Sequence, residues 1–131
     1  MSVQTVVQLI RKLHRDTIFI IDDYNCYYVY GNDCYILYYL CQLSILGKKN
    51  KFIRNDITYL NYVISRLKEE HVDYMVLLKR HGYCVDGSNH FLDNRYQKYY
   101  SKGKIRYERI QNIQYIIRKL RSNILKYELA I

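Results

Sequence analysis

"IIDDYNCYYVYGND", residues 20–33, decides how the chain is read. An apolar run ends in two adjacent carboxylates, Asp22 and Asp23. After Tyr24 comes a β-prone, tyrosine-rich run, "NCYYVY" (25–30), which Gly31 ends. "TIFII" (17–21) reads as a buried strand, and the few residues between the two runs suit a hairpin. Alternation along the second strand sends Tyr24, Cys26, Tyr28 and Tyr30 to one face and Tyr27 to the other. Aspartates at such a strand end favour a turn through their own side-chain hydrogen bonds. As a metal-binding pair for phosphodiester chemistry, Asp22 and Asp23 would need further converging carboxylates and a lysine. Asp73 and Lys79 flank a later strand without the required spacing, so the turn reading is preferred.

Upstream, Val3, Val6, Val7, Ile10 and Leu13 recur at helical spacing after Ser2. Downstream, Asn32 or Asp33 can cap a nearly all-apolar helix over 34–46, closed by Gly47. Such a helix must be covered on more than one side. "KKNKFIR" (48–54) reads as a short basic strand. Asn55 or Asp56 then caps a helix with Ile57, Leu60, Ile64 and Leu67 on one face. "DYMVLL" (73–78) is another buried strand, and "HGYCVDGSNHF" (81–91) is a strand or loop. The alternation predicts an α/β fold, a small mixed sheet with packed helices, over residues 1–91. Residues 92–131 are expected to form a basic helical extension packed on the same unit. There Ile110, Ile113, Ile117, Leu120, Ile124 and Tyr127 step in a heptad-like stripe, and Gly103 is a point of breakage or bending.

The 131 residues carry a formal charge of +9 and include 17 tyrosines, no tryptophan and no proline. Residues 1–91 hold 11 Lys and Arg against 9 Asp and Glu; residues 92–131 hold 10 against 3. The excess, +2 against +7, therefore sits in the C-terminal part. A concentrated positive charge points to a polyanion, most often DNA or RNA. The cations expected to meet phosphate are Lys48, Lys49, Lys51 and Arg54 near the middle of the chain. In the C-terminal part they are Arg95, Lys98, Lys102, Lys104, Arg106, Arg109, Arg118, Lys119 and Arg121. Tyr24, Tyr28 and Tyr30 are the candidates for stacking on bases.

No cofactor, catalytic residue or metal site is expected. His81, Cys84, Asp86 and His90 lie close in sequence but match no recognisable ligand spacing. Cys26, Cys34, Cys41 and Cys84 form no C-x-x-C pair and read as reduced, mostly buried thiols. No run of eighteen apolar residues and no basic-then-apolar leader is present, so the expected location is the cytoplasm, with no membrane contact.

"NCYYVYGNDC" (25–34), "ITYLNYVISRLKEE" (57–70) and "DYMVLL" (73–78) resemble, in order and spacing, the N-terminal mismatch-recognition domain of the MutS family. The family's base-stacking Phe and its neighbouring Glu fall at Cys26 and Tyr28. A cysteine does not wedge into a base stack as an aromatic ring does. The resemblance therefore implies the domain's fold rather than mismatch reading. Taken together, these features lead to a non-catalytic nucleic-acid-binding accessory protein, a subunit or cofactor of a larger nucleic-acid-processing enzyme or ribonucleoprotein. The C-terminal helix offers a route to a homodimer. The alternatives are a protein-interaction module using the aromatic surface and that helix, and, third, a small metal-dependent nuclease.

Overall fold

The computed structural model describes residues 3–130, and the side chains of residues 5–128. Ser2 and the Val3 side chain, both assigned to the first helix above, lie outside that range. In chain order the elements are α1 (Val3–Leu13), β1 (Ile18–Asp23), β2 (Cys26–Tyr30), α2 (Asp33–Cys41), β3 (Phe52–Asp56), α3 (Leu60–Glu69), β4 (Tyr74–Leu78), β5 (Cys84–Asn89) and α4 (Tyr96–Ala130). The five strands form one sheet in the order β3-β2-β1-β4-β5. β1 and β4 pair in parallel at its centre, and every other pairing is antiparallel. The fold is the mixed α/β class that the alternation predicts. Among the described residues no helix is long and apolar enough to cross a membrane.

The pleat explains why the two central runs are apolar at every position. Ile18, Ile20, Tyr27, Val29, Ile53, Tyr74 and Val76 face a core closed by α2, α3 and the first turns of α4, through Tyr96 and Tyr99. Phe19, Ile21, Met75 and Leu77 point the other way, onto Val7 and Ile10 of α1. Asp56 starts the segment leading into α3 as expected, its carboxylate accepting from the Thr58 N–H at 2.9 Å.

Four expectations need correction. The helix read over 34–46 ends at Cys41, and Gln42 stands in the left-handed region at φ +55. Beyond it Leu43 and Ile45 pack on the core while Ser44 and Leu46 face out, the period of extended chain and not of a helix. Leu46 then bridges to Phe52. The basic "KKN" accordingly lies in a loop, and β3 begins at Phe52. Neither Asn32 nor Asp33 caps α2 through its side chain: Asn32 makes no capping bond and Asp33 turns inward. Gly103 does not interrupt α4. It is buried against α2, where a Cβ would run into the Tyr35 carbonyl. The glycine lets the two helices approach closely at this point.

Candidate nucleic-acid interface

The hairpin formed by β1 and β2 is built as the turn chemistry requires. Asp23 pairs with Cys26, leaving Tyr24 and Asn25 as the two turn residues. The Tyr24 N–H donates to the Asp22 carboxylate at 3.0 Å, and Lys79 sits 3.4 Å from Asp23. The two aspartates are thus a turn former and an ion-pair partner. Tyr24 itself adopts φ +67 and is exposed, with the Arg80 guanidinium 5.0 Å from its ring centre. It belongs to the turn and does not continue the strand face predicted for it.

Tyr28 and Tyr30 do share a face, the one opposite α2 and α3, at the margin of the α1 cluster. Their rings lie parallel, 6.0 Å between centres, and both are half-buried. Arg54, across the strand pair on β3, donates its Nε–H to the Tyr28 hydroxyl at 3.0 Å. Burial, with neighbouring Tyr28 and Tyr83 adding to it, pushes the Tyr30 phenol up to about 12. The pair is an aromatic surface with one cation, Arg54, at its edge.

The cations named from sequence fall into separate groups. Lys98, Lys102, Arg106 and Arg109 recur at i, i+4, i+8 and i+11 and form one exposed row on α4. Lys102 and Arg106 both approach the Tyr39 ring of α2, at 6.0 and 4.5 Å from its centre, and Lys98 lies 5.3 Å from that of Tyr99. On the face of α4 that docks on α2 lies a tyrosine layer: Tyr35 meets Tyr100 and Tyr107 edge-on, and Tyr38 meets Tyr107. Lys104 turns off the row toward Tyr100. Arg95 is drawn aside to Asp93, 3.5 Å away. Arg118, Lys119 and Arg121 lie further along the helix, exposed on its other faces. Lys49 and Lys51, with Gln8, Arg11, Tyr30 and Asn32, line a cleft of about 330 Å³ between α1 and the loop before β3; Lys48 is exposed in the same loop.

Two features escaped the sequence reading. Tyr59 and Tyr62 are exposed and, with Cys41, Leu43, Asn55 and Val63, wall a largely apolar cleft of about 630 Å³ on the α3 side. Their helical spacing could have flagged a shared surface, but nothing local says that the loop after α2 completes it. The second is Asp33. Its buried carboxylate receives two bonds from the Arg11 guanidinium (2.7 and 3.1 Å), one from the Phe19 N–H (3.0 Å) and one from the Tyr96 hydroxyl (2.5 Å). Burial raises its pKa, and these four donors oppose that shift by favouring the ionised form. The partners lie 22, 14 and 63 positions away, beyond any local pattern.

For the remaining candidates, His90 stands 3.3 Å from Asp73, and Cys84 is exposed on β5. Among the described residues no group of three His, Cys, Asp or Glu side chains converges as metal ligands. Cys26, Cys34 and Cys41 are buried free thiols. Burial pushes Cys34 up to about 12 and Cys41 to about 11, so neither supplies a thiolate near neutral pH. In comparisons with known protein families and with curated proteins, the chain matches none.

Proposed function

We propose that the protein is a non-catalytic nucleic-acid-binding accessory protein, acting beside a larger nucleic-acid-processing enzyme or ribonucleoprotein. The observation that carries the reading is the exposed row Lys98, Lys102, Arg106 and Arg109, seated beside the ring of Tyr39. Neighbours in the row are about 4.5–6 Å apart along the helix axis, so one extended anionic backbone can meet several of them at once. Each phosphate neutralised releases condensed counterions, the main source of sequence-independent affinity. Tyr28 and Tyr30, with Arg54 beside them, offer a second surface on which unpaired bases can stack.

The test is a salt titration of binding to mixed-sequence DNA and RNA. Changing Lys98, Lys102, Arg106 and Arg109 together to Gln should weaken binding to every sequence. It should flatten the slope of log K against log salt by about 0.7–0.9 for each phosphate no longer neutralised, about 3 in all. The fold should be little affected, since exposed charge changes seldom exceed about 0.5 kcal/mol each. No binding by the wild type at low salt, or equal slopes for both proteins, removes the reading. A protein-interaction module is the second reading, favoured by the large apolar side chains exposed along the distal half of α4.

A further inference from the structure

Beyond Tyr107 every described side chain of α4 is exposed. The 23 residues from Glu108 to Ala130 extend about 35 Å from the α/β body. In proteins most helical stability comes from packing an apolar face rather than from propensity. This helix has such a face. Ile110, Ile113, Ile116, Ile117, Leu120, Ile124 and Tyr127 are all exposed, and at ~100° per residue they fall within about a third of the helix circumference. Tyr96, Tyr100, Gly103 and Tyr107, which dock α4 on the body, point on average about a third of a turn away. The body therefore neither covers the stripe nor blocks access to it.

We infer that this stripe is the seam of a parallel two-stranded coiled coil, and that its occupant is the same helix of a second copy of the chain. The spacing 3-4-3-4-3 from Ile110 to Tyr127 is the heptad repeat, with Ile110, Ile117 and Ile124 at the first core position and Ile113, Leu120 and Tyr127 at the second. Isoleucine fills all three first positions, and leucine takes the middle of the second between Ile113 and Tyr127; β-branched residues at the first position with leucine at the second favour two parallel strands, like layers stacked on like layers. The flanking positions are compatible. In parallel register Arg109 meets Gln114 of the other copy, Ile116 meets Arg121, and Asn123 meets Glu128, so no like charges oppose each other. The seam stops where it should, because the preceding core positions hold Arg106 and the buried Gly103. Since the two bodies lie off the plane of the paired helices, on opposite sides, they do not collide.

Pairing through the stripe is independent of nucleic-acid binding and is tested on the full chain after nuclease treatment. Sedimentation equilibrium from about 1 to about 100 µM should show reversible association of the 16.0 kDa chain toward twice its mass, persisting in high salt. Ile117→Asp with Leu120→Asp should give a monomer whose α/β body keeps its thermal transition. Ser122→Glu, on the opposite face, should associate as the wild type does. The arrangement is read by Ile124→Cys in a Cys84→Ser background, where parallel pairing sets the two new thiols in one layer and mild oxidation links them. A wild type that stays monomeric throughout overturns the inference, as does a limiting mass of three or four chains. A dimer in which Ile124→Cys does not cross-link overturns the parallel arrangement.

Discussion

Asp33 shows how much one residue can tie together. Through it α1, β1, α2 and the start of α4 meet at a single carboxylate. Such a group is costly to bury and becomes costlier if its partner is removed, because the charge is then uncompensated. Arg11 is the main partner, and its side chain keeps about a third of its exposure. Arg11→Met should therefore destabilise the protein by about 3 kcal/mol, the lower end of the range for breaking a buried pair, as read from the urea midpoint at neutral pH. Replacing both members, Arg11→Met with Asp33→Leu, should recover much of that loss, since no orphaned charge remains. A single variant as stable as the wild type would mean that Asp33 is held by Phe19 and Tyr96 alone.

At the scale of elements, the junction of α2 and α4 decides how the basic row is presented. Gly103 lets the two backbones approach, and the tyrosines around it fill the space on either side. In a free helix Gly→Ala would stabilise by about 1 kcal/mol. Here the new methyl meets the Tyr35 carbonyl, a backbone atom that cannot swing aside, and overpacking of this kind costs about 1–3 kcal/mol. The second effect is the larger, so Gly103→Ala should lower the thermal midpoint. A rise in the midpoint would show that α4 can shift off α2 freely. The same variant should disturb the cation–tyrosine contacts at Tyr39, because Lys102 and Arg106 ride on the displaced helix.

For the whole molecule, the tyrosine content sets the alkaline limit. Burial pushes Tyr27 and Tyr30 up to about 12, and burial with the neighbouring Asp33 carboxylate pushes Tyr96 higher still. An unfolded phenol titrates near 10. A phenol with a higher pKa in the folded state favours folding while both states are protonated. That contribution is complete below pH ~10 and is lost as the pH rises toward ~12. Stability should accordingly be level through mildly alkaline pH and fall steeply above ~10. Phenolate absorbance should show Tyr27, Tyr30 and Tyr96 ionising only as the fold is lost. A single titration of all seventeen near pH ~10, with the fold intact, would contradict the burial described here.

The sequence by itself determined the class of the fold, because apolar runs and their periods report local structure directly. "TIFII", "NCYYVY" and "DYMVLL" became strands within a residue or two of their expected ends, and Asp56 opens the segment into α3. It determined the concentration of charge after residue 92 and the heptad spacing of the isoleucines, which depend only on position along a helix. Tertiary structure decided the rest. The end of α2 at Cys41 follows from Leu43 and Ile45 finding places on the core as extended chain, a choice that composition does not reveal. Gly103 could be placed only once α2 lay across it. Tyr24 left its predicted face because a two-residue hairpin took it into the turn. The cations separated into an ordered row on α4, a cleft beside α1 and an edge on β3, since a folded surface groups residues by direction and not by number. Asp33 carried a local helix-start signal, but its partners are distant in sequence, and only packing in three dimensions brings four donors to one carboxylate.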